Sequence, residues 1–138
     1  MGKIRVAVAG VGNCASALLQ GIEFYRETLP PADGGMVPGL MNLDIGGYLP
    51  GDIEVVAAFD IDRRKVGRPV TEAIFALPNC TKRFVERMPA GGPVVRMAPP
   101  LDGVAPHMAE YPPEQTFLLS SETPCDVEGV LRESGAHG

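Results

Sequence analysis

No apolar run in the 138 residues approaches the roughly 18 that a membrane-spanning helix needs, so a helical integral membrane protein is excluded. Positive charge is also scarce. Twelve Lys and Arg face 17 Asp and Glu, the net charge is −5, and the longest basic run is Arg63, Arg64 and Lys65. A nucleic-acid binder carries a basic stripe to follow the phosphates, so no nucleic-acid partner is expected. Cysteine is limited to Cys14, Cys80 and Cys125, odd in number and far apart, which fits neither a disulfide framework nor a zinc spacing. His107 and His137 stand alone, and Asp44, Asp60 and Asp62 lack metal-loop spacing, so no metal site is expected. There is no internal repeat.

Lys3 and Arg5 before apolar residues 6–9, with Ala15, Ser16 and Ala17 beyond, imitate a secretory signal. Gly10, Gly12 and Asn13 break the apolar stretch such a signal needs, and a cytoplasmic location is expected instead. Seventeen glycines and 14 prolines in a chain that is 45% apolar predict one small domain with much loop. These loop formers concentrate in residues 28–52, where a Pro/Gly-rich insertion with sparse regular structure is expected.

Around that insertion the pattern is that of alternating strands and helices. Residues 3–9 (KIRVAVA) are short, β-branched and closed by a glycine, which predicts a buried strand. Residues 13–27 place Ala17, Leu18, Gly21, Ile22 and Tyr25 at helical spacing until Pro30 and Pro31 stop the pattern. A second strand is predicted at 53–59, a short helix around 70–76, a third strand at 93–97 and an amphipathic helix at 126–134.

The first strand runs into Gly10, Val11, Gly12, Asn13, Cys14 and Ala15 and then a helix, the G-x-G-x-x-G/A pattern in a strand–turn–helix setting. Each residue type has a reason. Gly10 permits the tight turn, Gly12 has no Cβ to keep a pyrophosphate away, and Ala15 lets helix and strand pack closely. The N–H groups at the helix start, near Asn13 and Cys14, would face the phosphates, aided by the helix dipole. Asp60, at the end of the second strand, is placed to accept from the adenosine ribose hydroxyls and to repel a 2′-phosphate, which favours NAD over NADP. It follows Ala15 by 45 residues, where about 20 is usual, and the insertion accounts for the excess. The alternative for Asp60 is a strand-end turn cap. Cys14, with no histidine near it in sequence, reads as a small side chain under a phosphate rather than a nucleophile. The fold class predicted is α/β, with an incomplete NAD(P)-binding Rossmann-type parallel sheet.

Five blocks in colinear order are more specific than the glycine pattern. VAVAGVGNCASALLQGIEFY (6–25), VPGLMN (37–42), VVAAFDIDRRKVG (55–67), EAIFALPNCT (72–81) and PPLDGV (99–104) resemble the inositol-1-phosphate synthases of bacterial and archaeal type. The resemblance implies a reaction converting glucose 6-phosphate to myo-inositol 1-phosphate by NAD-dependent oxidation, enolisation, aldol cyclisation and reduction, in inositol and phospholipid biosynthesis. It also implies that Gly10, Gly12, Asn13, Cys14 and Ala15 face the pyrophosphate, that Asp60 binds the ribose, and that Asp102 and Ser134 lie near the cofactor. Members of the family assemble as homotetramers.

The family's chain is much longer. Residues 1–138 are therefore expected to be an N-terminal dinucleotide-binding domain, with the catalytic and oligomerisation domain absent. No catalytic residue is assigned to this chain, and in isolation it is expected not to turn over substrate. Two alternatives stand beside this: a stand-alone, non-catalytic NAD-binding module, and a different NAD-dependent oxidoreductase sharing only the Rossmann half, which the five blocks disfavour.

Overall fold

The computed structural model describes residues 2–138. It is an α/β fold whose elements are β1 (Ile4–Ala9), α1 (Asn13–Phe24), β2 (Ile53–Asp60), α2 (Val70–Ala73), β3 (Val95–Met97) and α3 (Val127–Ser134), with 3-10 turns at Pro50–Asp52 and Pro106–Glu110. The three strands are parallel in the order β1-β2-β3. All of them therefore end on one side of the sheet, the side onto which the glycine turn opens. Register runs from Ile4 opposite Ile53 to Val6 opposite Val55, then slips by one residue so that Ala7 faces Ala57 and Ala9 faces Phe59. Beyond it, Asp60 pairs with Met97. Residues 137–138 follow the other edge of β1, with His137 N–H donating to the Arg5 carbonyl (2.6 Å) and Ala7 N–H to that of Gly138 (2.8 Å).

Val11, Leu19, Ala58, Val66, Val70, Ala73, Ile74, Val95 and Met97 form the core between the sheet and the α1/α2 layer. Burying an aliphatic side chain of this size contributes about 1.5 to 3 kcal/mol, so this cluster is the main cohesive element of a loop-rich chain. Helix α3 contributes no fully buried residue. It is defined at its ends instead, by Asp126 accepting from Gly129 N–H (3.1 Å) and by Gly135 in the left-handed region at φ 64°.

Predicted and observed elements differ at the margins and at one helix face. α1 stops at Phe24, and the helix expected around 70–76 is a single turn, Val70–Ala73. The third strand shortens to Val95–Met97 because the Pro93 carbonyl accepts from Val70 N–H (2.9 Å), tying that end to α2 rather than to β2. Residues 28–49 hold only an isolated bridge, Ile45 to Tyr48, as the proline and glycine content predicts. On α1 the buried positions are Ala15, Ser16, Leu19, Gln20 and Ile22, whereas Leu18 is 50% exposed. The buried stripe is thus turned from the one that apolar spacing suggests.

Candidate functional site

The site is built on the turn between β1 and α1. Gly10 has φ 93°, a conformation an L side chain rarely adopts, and its N–H donates to the Phe59 carbonyl (2.9 Å). Gly12 is different. Its φ is −101°, which any residue tolerates, and a Cβ placed on it would meet no atom within 4 Å. Neither backbone nor packing requires glycine there, and the space beside it is open. No side chain caps α1, and the first helical bond is Ser16 N–H to the Gly12 carbonyl (2.9 Å). The N–H groups of Asn13, Cys14 and Ala15 precede that bond and have no partner within the helix. The turn thus offers an open face and a set of amide donors, which suits a pyrophosphate.

Each predicted residue can now be placed. Ala15 is buried, consistent with close helix–strand packing, and Cys14 is exposed. The Asn13 side chain is already engaged: Oδ1 accepts from Cys80 N–H (2.9 Å) and Nδ2 donates to Cys80 Sγ (3.2 Å). The Thr81 hydroxyl donates to the Asn13 carbonyl (2.9 Å). Asn13 therefore offers a ligand its backbone N–H, while its side chain fastens residues 79–81 beside the turn.

Asp60 sits at the end of β2 and is only 8% exposed. Its Oδ2 accepts from Val11 N–H (2.7 Å), and Oδ1 accepts from Ile61 N–H (2.7 Å) and Asp62 N–H (2.9 Å). A carboxylate has about four acceptor positions, so one remains, on Oδ2. The turn-cap role is therefore real, and at most one ribose hydroxyl can be bound in addition.

Asp102 reaches the same end of the sheet. Ala98 N–H donates to the Asp60 carbonyl (3.1 Å), and a Cβ on Gly103 would stand 3.6 Å from Ile61 Cδ1, so the 100–103 loop lies against the residue after Asp60. Asp102 is exposed there, beside Leu101, which has φ 47°. Ser134 lies apart from them, on the last turn of α3. It ends α3, its Oγ donates to the Leu131 carbonyl (2.8 Å), and the next residue, Gly135, abuts the Arg5 guanidinium at the start of β1. An α3 packed antiparallel to the strands must deliver its C-terminus to their N-terminal end. Arg5 precedes Gly10 by five strand residues, about 16 Å.

The sequence reading passed over two buried charges. Asp62 has no solvent exposure; Oδ1 accepts from Arg64 N–H (2.8 Å) and Nε (2.9 Å), and Oδ2 from Arg64 Nη2 (2.7 Å) and Leu118 N–H (2.9 Å). Burial, the largest single influence, pushes its carboxyl upward. The bonds from Arg64 and Leu118 outweigh it and hold the group below the ordinary carboxylate range. Arg64 also donates to the Pro113 and Thr116 carbonyls (2.6 and 2.7 Å), so this pair anchors residues 113–120 beside the end of β2. The second is Lys65, 2% exposed, whose Nζ donates to the carbonyls of Val11 and Pro78. Within α1, Gln20 and Ser16 are fully buried; Gln20 Oε1 accepts from Phe84 N–H (2.9 Å) and its Nε2 donates to Ser16 Oγ (3.2 Å). Among the described residues no buried side-chain nitrogen or oxygen lacks a partner, and no cluster of three metal-ligating side chains occurs.

An apolar groove of about 570 Å³ runs between α1 and the insertion, lined by Leu18, Ile22, Tyr25, Leu40 and Leu49 among others. Its lining reaches Ile4 and Ile53, the starts of β1 and β2, so it is remote from the glycine turn. No helix among the described residues is long and apolar enough to cross a membrane.

No family model matches the chain. It is 42% identical over 133 residues to the inositol-3-phosphate synthase of Mycolicibacterium smegmatis and 47% identical over 133 residues to that of Corynebacterium glutamicum. Each match takes in 96% of this chain and 34% of the relative, so the chain spans about a third of the length of these curated proteins. Among solved structures, that of Ari2 matches with a TM-score of 0.68 at 34% identity, over 97% of this chain and 36% of that one. The resemblance read from the five sequence blocks is borne out along nearly the whole chain.

Proposed function

We propose, from the premise that this chain is a relative of the inositol-3-phosphate synthases over 96% of its length, that it is the NAD-binding portion of such an enzyme. The reading places it in the cytoplasm, in inositol and phospholipid biosynthesis, with glucose 6-phosphate as substrate of the full-length protein. The observation that carries it is Gly12, whose missing side chain leaves space that no atom of the protein fills. The pyrophosphate would rest on that opening, bonded by the first amides of α1. Asp60 would accept one adenosine ribose hydroxyl at its free Oδ2 position, and its charge would disfavour a 2′-phosphate. Asp102, exposed on the loop beside Ile61, would lie near the adenosine. Bound NAD supplies a hydride acceptor that can return the hydride within one turnover, so the net reaction is an isomerisation. What this chain contributes is position: a turn rigid before the ligand arrives, because Gly10 and Val11 are bonded to the end of β2.

The test is calorimetric titration of the chain with NAD, ADP-ribose and NADP. NAD and ADP-ribose should bind comparably and more tightly than NADP. Absence of binding by both diphosphate ligands, or a preference for NADP, would overturn the reading.

A further inference from the structure

Lys65 has no part in the reading above, yet it is the largest of the fully buried side chains. Its ammonium donates to the Val11 carbonyl, inside the glycine turn, and to the Pro78 carbonyl at 3.3 Å. Val11 is thus held at both ends by opposite charges, its N–H by the Asp60 carboxylate and its carbonyl by Lys65. The charged groups acting on the ammonium are Asp60 from the end of β2 and Asp62 and Arg64 from the segment that follows. Burial dominates and lowers its proton affinity below that of an ordinary lysine, while the two carboxylates act in the opposite sense and Arg64 adds to the lowering.

Which carbonyl the lysine takes matters. The C=O of Val11 and the N–H of Gly12 belong to one planar, trans peptide unit and point in opposite directions. Pinning the carbonyl inward therefore turns the Gly12 N–H away from the core, toward the open face of the turn. The second bond, to Pro78, ties down the start of the segment whose Cys80 and Thr81 grip Asn13. We propose that Lys65 is a positioning residue for diphosphate binding: it aims the Gly12 N–H at a pyrophosphate oxygen and places a desolvated positive charge one peptide behind it. The inference rests on the NAD reading and assigns to that site a residue that does not touch the ligand.

The chain has three lysines, Lys3, Lys65 and Lys82, so lysine-selective ¹³Cε labelling combined with ¹⁵N amides gives a resolvable experiment. If NAD leaves the amides of Gly10, Gly12 and Asn13 unperturbed, the NAD reading fails and the inference with it. If they respond, the Lys65 titration midpoint must rise on saturation with NAD, because a bound diphosphate stabilises the ammonium, while that of Lys3 stays fixed. An unchanged Lys65 midpoint in a chain that binds NAD overturns the inference alone. Lys65→Met removes the charge at similar volume; affinity for NAD and ADP-ribose should fall on the order of tenfold to a hundredfold, with the ligand-free melting temperature within a few degrees of the parent. A folded Lys65→Met chain binding NAD within about twofold of the parent also overturns it. Should that variant not fold, the lysine titration of the parent decides.

Discussion

Replacing Asp60 by alanine should do more to the fold than a ligand-binding residue ordinarily would. The substitution removes the acceptor of three backbone N–H groups, those of Val11, Ile61 and Asp62, and the residues Val11 and Asp62 are themselves fully buried. A hydrogen bond to a charged acceptor contributes roughly 1.5 to 3 kcal/mol, and a buried donor left alone costs a similar amount. Counting only the two buried donors, Asp60→Ala should lose about 3 to 6 kcal/mol, a large share of the roughly 5 to 15 kcal/mol that holds a domain together. For a domain of this size that corresponds to a fall in melting temperature on the order of 10 to 20 °C. Asp60→Asn keeps one carbonyl-type acceptor but turns an NH₂ toward at least one donor, so it should fall between alanine and the parent. The assay is ligand-free thermal unfolding followed by circular dichroism, with a nucleotide titration on whichever variants stay folded. An Asp60→Ala chain that melts with the parent would refute the cap assignment and return Asp60 to a purely ligand-facing role.

Gly12→Val should do the converse: with no neighbour within 4 Å and φ at −101°, it should melt within a few degrees of the parent while NAD affinity falls at least about a hundredfold, as calorimetry would register. Asp62, held below the ordinary carboxylate range when folded, contributes stability that is present above its unfolded value near pH 4 and lost as pH falls through its lower folded value. Urea melts between pH 5 and 2 should therefore show a decline that Asp62→Asn makes shallower, while lowering stability at pH 7. The isolated chain should release no inositol phosphate from glucose 6-phosphate, because with Lys65 sealed in the core only Lys3 and Lys82 remain as lysines to hold a substrate phosphate or an enolate; product formation by the purified chain would contradict this.

What could be read without coordinates was what is local. A β-branched run ending in glycine specifies β1 and its turn, and a second such run ending in Asp60 specifies β2, because strand period and turn chemistry act within a few residues. The buried polar frame was not legible for the opposite reason. Lys65 belongs to a basic triplet that reads as a solvated face, yet its partners are main-chain carbonyls 54 and 13 residues away. Gln20 and Ser16 look like the wet side of α1 and are its buried side, because amides and carbonyls from residues 79–85 satisfy them. That same contact exposes Leu18, which apolar spacing alone would have buried.

The central claim, that the turn between β1 and α1 binds a dinucleotide diphosphate, is tested most directly by an amide-resolved NMR titration of the ¹⁵N-labelled chain with NAD. The account predicts saturable shifts concentrated at Gly10, Gly12, Asn13 and Cys14, with smaller ones at Ile61 and Asp102, and none at Ser134 or along the apolar groove beside Leu18 and Tyr25. Shifts confined to that groove, or a spectrum unchanged at millimolar NAD, would contradict it.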